Sequence, residues 1–201
     1  MIKKENSLQD KILEAAMVLI RRYGLNKITM DDVARQVGKS RSSLYYYFKN
    51  REEIFDAVMN AFIEEISTEI KIAMDEAQGL ENKLNAFFTT KLSTSRERTA
   101  FYRALEMGMN ASELSQHKQA MADYHFKLMQ REHSLLNQFF NDAISLGKLK
   151  PVDAGTIDQL ILIALSSIRG INRELGYQNK AYQAPGELIQ TLSNMMINSL
   201  Q

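Results

Sequence analysis

The chain has 201 residues, 45% of them hydrophobic, no cysteine, and a formal net charge of +1. A chain of this length holds one larger domain or a small one joined to a larger one, and by size scaling buries roughly 70% of its unfolded surface without needing a disulfide or a metal. The missing thiols exclude disulfide bonds, thiolate catalysis and cysteine-ligated zinc.

The first residues start basic and turn apolar, but Asp10, Lys11 and Glu14 interrupt the apolar stretch and no small-residue cleavage site follows, so the segment reads as mature protein. Ser7, with Asp10 at N3, predicts the cap of a first helix whose apolar face is Leu8, Ile12, Ala16, Leu19 and Tyr23, stopped at Gly24. Thr29 caps a short second helix with Asp31 and Asp32 in its first turn, and Gly38 ends it. Residues 40–48 form a short third helix, and Asn50 with Glu53 opens a long fourth one reaching about residue 77. Further helices are predicted at 80–94, 97–110, 117–147, 153–176 and 186–200, with breaks at Gly79, at the polar stretches 110–115 and 147–153, and at 177–186. Period-2 alternation is absent throughout. The prediction is an all-α chain of about nine helices, three short ones first.

Charge is unevenly placed: residues 1–55 hold eleven Lys/Arg against seven Asp/Glu, net +4, and residues 56–201 hold fourteen against seventeen, net −3. A basic head on an acidic body suits a polyanion partner. The longest aliphatic run, residues 160–165, falls far short of the roughly 20 residues that span a bilayer, so no membrane partner is expected and the protein is expected to be soluble and cytoplasmic.

Two short helices joined by a tight glycine turn form a helix-turn-helix, whose second helix enters the DNA major groove. With Leu44 at 0° and about 100° per residue, Phe48 falls near 40° and both face inward, while Ser42, Ser43 and Tyr46 fall near 160°, 260° and 200°, outward. Tyr45 and Tyr47 lie on the flanks, Tyr45 within reach of a phosphate and Tyr47 half-buried. Arg41, in the first turn, has the planar fork that suits guanine O6/N7, and Lys39, Lys49 and Arg51 bracket the helix with charge for phosphates. From these residues alone two readings stand, because a tyrosine run also serves to cover the edge of a core.

The order ITMDDVARQVGKSRSSLYYYFKNREEIF, within residues 8–58, resembles the TetR/AcrR family of bacterial transcription regulators. The resemblance implies phosphate-backbone contacts from Thr29, Tyr45, Lys49 and Arg51, and base-side contacts from Arg41, Ser42, Ser43 and Tyr46. Arg51 stands where the family commonly has Lys, preserving the charge. The resemblance further implies a DNA-binding domain over residues 1–50 and a helical ligand-binding and dimerisation domain over 51–201. The last two helices would then form a four-helix bundle with a second copy.

For that interface the sequence offers the small pair Ser166 and Gly170, with Leu188, Leu192, Met195 and Met196 on the last helix. For an effector pocket it offers Tyr102, Glu106, Met107, Met109, Met121, Tyr124, His125, Met129, His133, Arg169, Asn172 and Arg173. These residues suit a largely apolar effector whose acidic or hydrogen-bonding group meets Arg169 or Arg173. Methionine at helical spacing also serves as ordinary core. His117, His125 and His133 recur every eight residues, about 80° further round the helix each time, and so cannot share one metal ion. No cofactor is expected. No glycine-rich phosphate loop, H-E-x-x-H or G-x-S-x-G sequence occurs, so a DNA-binding regulator is favoured over an enzyme, with a ligand-independent DNA organiser as the alternative.

Overall fold

The computed structural model describes residues 7–176 and 185–200. Among these residues lie eight α-helices, one short 3-10 turn and no strand: α1 (Leu8–Tyr23), the 3-10 turn (Leu25–Lys27), α2 (Met30–Val37), α3 (Arg41–Tyr47), α4 (Arg51–Glu76), α5 (Leu80–Leu105), α6 (Ala111–Ser145), α7 (Ala154–Gly176) and α8 (Pro185–Asn198). The protein is all-α, and its N-terminal three-helix head is followed by longer helices.

Local chemistry sets the boundaries of the head. Ser7 and Thr29 each form a capping box: the side-chain oxygen accepts from the N3 amide, of Asp10 and Asp32 respectively, and the N3 carboxylate accepts from the cap amide. Gly38 ends α2 in the left-handed conformation, at φ 71° and ψ 35°. Gly24 ends α1 at φ 81° and ψ 159°, a region essentially reserved for glycine, and a Cβ there would lie 2.5 Å from the Met107 carbonyl oxygen.

Two expected boundaries differ. The helices predicted at 80–94 and 97–110 are one, α5, because the hydroxyls of Ser93 and Thr94 donate back to the Thr90 carbonyl at 2.9 Å instead of diverting the backbone. The stretch expected to break at 110–115 starts a helix. Asn110 Oδ1 accepts from the Ser112 and Glu113 amides, both at 3.0 Å, and Glu113 Oε2 accepts from the Asn110 amide at 2.8 Å, so α6 begins at Ala111, not at 117. The break expected at 177–186 lies, as far as residue 184, outside the described residues.

The chain divides into two compact units that do not follow chain order. The first takes the chain up to Glu64 together with Glu97–His125. Its core joins Ile12, Ala16 and Ile20 of α1 to Val33 and Ala34 of α2, Leu44 and Phe48 around α3, and Ile54 and Val58 of α4, all buried. The Phe62 and Phe101 rings meet tilted, with centroids 4.8 Å apart, and the Tyr124 hydroxyl donates to Asp56.

The second unit takes Glu65–Arg96 and the chain from Phe126 onward. Leu84, Phe87 and Phe88 of α5 and Leu136 and Phe140 of α6 form its buried centre, and Ile161, Leu165 and Ile168 line the covered side of α7, which packs on α8. Lys91 and Glu132 form an ion pair inside it. By length and mean hydropathy (1.3) α7 is apolar enough to cross a membrane, and 28% of that window is buried within the protein.

Candidate nucleic-acid interface

Helix α3 is seven residues long and held by its two ends. Ser40 caps it by accepting from the Ser43 amide, and the Phe48 amide returns to the Leu44 carbonyl at 2.9 Å. Leu44 and Phe48 anchor it in the core, so the remaining turn and a half is presented outward. Ser42 is exposed, Ser43 half-buried with its hydroxyl 2.9 Å from that of Ser40, and Tyr46 84% exposed. Tyr45 and Tyr47 are each 40% exposed on the flanks, so Tyr47, expected to be half-buried, is as open as Tyr45. The Tyr46 and Tyr47 rings meet edge to face at 5.1 Å, and with Ser42, Ser43 and Leu8 they line a shallow open groove on this side.

Arg41 is held from two sides. Its Nη1 lies 3.2 Å from Asp31 Oδ2 on α2, its Nη2 donates to the Tyr45 hydroxyl at 3.1 Å, and its guanidinium carbon sits 5.3 Å from the Tyr45 ring centroid. The bond to Tyr45 and the charge of Asp31 raise the Arg41 pKa further, so it is a fixed cation. Lys39 and Lys49 are exposed, and Arg51 is half-buried beside Glu52 at 3.4 Å. Glu53 accepts from the Lys49 amide at 2.7 Å and donates its own amide to Asn50 Oδ1 at 2.8 Å, which fixes the start of α4.

Thr29 is engaged throughout. Its amide and hydroxyl donate to Asp32 Oδ2 at 3.0 and 2.6 Å, the hydroxyl oxygen accepts from the Asp32 amide, and its carbonyl accepts from the Val33 amide. These bonds hold the Asp32 carboxyl below its ordinary pKa. A phosphate contact from the Thr29 hydroxyl therefore competes with the α2 cap.

The effector candidates separate between the units. Tyr102, Glu106, Met107, Met109, Met121, Tyr124 and His125 belong to the first, and Met129, His133, Arg169, Asn172 and Arg173 to the second. Burial, and after it the bond to Asp56, raises the pKa of Tyr124, and His133 lies 3.1 Å from Asp158. Arg173 is exposed beside Glu174, whereas Arg169 donates to the Ser166 hydroxyl at 2.9 Å and has its Nη1 buried without a partner. A cleft of about 260 Å³ in the second unit has Met74, Leu80, Leu135 and Phe139 among its lining residues and none of the candidates.

The sequence reading missed the polar interior of the second unit. Glu132 is 1% exposed, one carboxylate oxygen bonded to Lys91 and the other, Oε2, buried without a partner, and Asn172 donates to buried Ser95 at 2.8 Å. Lysine at 91 and glutamate at 132 carry no local mark of burial, since each falls in a helix with exposed charges of its own. Of the interface candidates, Ser166 is exposed, Gly170, Leu188 and Leu192 are half-buried, and Met196 turns into the core of its own unit, whereas Met195 is 66% exposed. Leu162 and Ile163, not singled out in the sequence, are 57% and 61% exposed on α7.

A short helix carried on two packed helices, with cations at both ends, is the arrangement of a helix-turn-helix. The family described as "Bacterial regulatory proteins, tetR family" matches residues 12–58. The biofilm operon icaADBC negative transcriptional regulator IcaR of Staphylococcus epidermidis is 38% identical over 56 residues, 27% of this chain and 30% of that protein. YhgD, an uncharacterized HTH-type transcriptional regulator of Bacillus subtilis, is 26% identical over 147 residues, 71% of this chain and 72% of its own. The match thus spans less than a third of the staphylococcal relative. A solved TetR transcription regulator from Haloarcula marismortui superposes with a TM-score of 0.63 at 19% identity, covering 96% of this chain and 97% of that one, a likeness of fold. Over residues 12–58 the chain is thus similar to TetR-family transcriptional regulators, and along its length it shares the fold of a solved one.

Proposed function

We propose that the protein is a repressor that acts as a homodimer on a palindromic operator and is released by a small, largely apolar effector. The observation that carries this reading is the outward row Arg41, Ser42 and Tyr46 on a helix whose inner side, Leu44 and Phe48, is fully committed to the core. Residues 1–50 serve as the reading head and 51–201 as the body. Ser42, Ser43 and Tyr46 meet base edges with Arg41, while Lys39, Tyr45, Lys49 and Arg51 meet phosphates, in the cytoplasm where the DNA is.

Dimerisation supplies what one head lacks, because two heads about 34–36 Å apart read two half-sites together. The uncovered apolar face of α7, with Leu162 and Ile163, and Met195 of α8 fit a second copy of the same face, as a two-fold interface requires. Arg169, with a buried unpartnered Nη1, is the group to meet an acidic or hydrogen-bonding part of the effector. Effector that binds two body conformations unequally shifts DNA affinity, and about 1–3 kcal/mol of coupling changes it 5–150-fold.

The test is selection of bound fragments from sheared genomic DNA of the source organism at fixed salt. Recovery of a palindrome with half-sites about one helical turn apart supports the reading. Recovery of fragments with no shared sequence overturns it in favour of a DNA organiser using the same head.

A further inference from the structure

We infer that Asp31 is a specificity-determining residue that works by positioning Arg41, without itself touching DNA. The inference rests on the reading of α3 as the recognition helix. An arginine side chain is flexible, and a base-reading guanidinium gains selectivity only when its plane is fixed before the DNA arrives. Here the plane is fixed from two helices: Asp31 on α2 takes Nη1, and Tyr45 on α3 takes Nη2 and lies under the guanidinium. Of the five N–H groups of the fork these two bonds use two, and three remain for the O6/N7 edge of a guanine.

Neither alternative use of Asp31 accounts for the pair. The α2 cap is built by Thr29 and Asp32, so Asp31 is not the capping carboxylate. Both partners are more than half exposed, and an ion pair so placed adds little to folding stability. What the pair does fix is where a cation points. Asp31 also sets a negative charge beside the DNA-facing side, which disfavours every phosphate alike and so lowers non-specific binding.

These two effects give a signature that a structural role does not share. The full-length protein selects its preferred duplex from a pool of randomised 30-base-pair duplexes, and affinity is then measured on that duplex and on a scrambled one of equal composition at one salt concentration. Asp31→Ala and the near-isosteric Asp31→Asn are expected to lower affinity for the selected duplex, leave or raise it for the scrambled one, and shrink the ratio about tenfold. They are expected to relax the base preference at the positions relaxed by Arg41→Ala, and to add no further relaxation in an Asp31→Ala/Arg41→Ala double variant. Tyr45→Phe, which keeps the ring and removes the acceptor, should fall between the two. An equal loss on both duplexes, a gain in discrimination, or relaxation at other positions overturns the inference. If Arg41→Ala itself relaxes nothing, it is the reading of α3 that fails. If Arg41→Ala relaxes the preference and neither Asp31 variant does, only the role of Asp31 falls.

Discussion

Tyr46 and Lys49 lie three residues apart, yet they are expected to respond differently to truncation. Tyr46 is almost wholly exposed on the outer side of α3, so Tyr46→Ala should relax base preference, costing about 1–3 kcal/mol on the preferred duplex and little on random DNA. Lys49→Ala should weaken all duplexes alike and flatten the logarithmic salt dependence by about one unit. Identical behaviour of the two variants on preferred and random DNA would sink this division of labour. A second residue-scale expectation concerns His117, which is buried with Nε2 unpartnered against Phe55. Burial lowers its pKa, and the opposing influence of Glu106 is smaller. The unfolded chain therefore takes up the proton more readily, so this contribution to stability is intact above about pH 6.5 and is lost as pH falls below it. Urea unfolding between about pH 7.5 and 5.5 should show the decline in the wild type and a shallower one in His117→Gln. At this scale the sequence was legible where partners are near: the wheel places Leu44, Phe48 and Tyr46 correctly because one helix carries all three. It was silent on Arg41 and Asp31, whose pairing depends on how two helices cross.

Among the elements, the capping chemistry was readable because a cap is decided within four residues. Ser7 with Asp10 and Thr29 with Asp32 form the expected boxes, and the glycines at 24 and 38 end their helices. Gly38→Ala should cost about 1–2 kcal/mol, the left-handed penalty alone, since nothing lies within 4 Å of the added methyl. Gly24→Ala should cost more, because the methyl must also displace the Met107 carbonyl, and chemical unfolding of the two variants ranks them. The continuity of α5 was misread because its serines and threonines bond back to their own turn, a choice their composition leaves open. The buried Lys91–Glu132 pair joins elements 41 residues apart and lay outside any local reading. Lys91→Ala leaves Glu132 unpaired in the interior and should destabilise by about 3–5 kcal/mol, whereas Lys91→Met with Glu132→Leu should be neutral or stabilising. A double variant as unstable as the single one would show that packing, not charge, holds this site.

For the whole molecule, the informative surface is the uncovered side of α7. Leu162 and Ile163 stand exposed on a helix of high mean hydropathy, and in a single chain that apolar surface stays in water. Leu162→Glu or Ile163→Glu should convert the proposed dimer to monomers in sedimentation, remove the dependence of the melting temperature on protein concentration, and leave half-site binding intact. A variant that sediments like the wild type would place the interface elsewhere. The apolar run 160–165 was visible in the sequence, but which of its residues face inward was not, because a helix apolar on several sides has no preferred face until its neighbours are known.

An uncovered seam of this kind has a consequence for dosage. When pairing precedes operator binding, the concentration of the active species grows as the square of the chain concentration at low levels, so a modest fall in synthesis empties the operator disproportionately. Under the proposed dimeric repression, the hydrophobicity of two side chains on α7 would thereby set a threshold in cellular protein number, below which the regulated gene is open whatever the effector does.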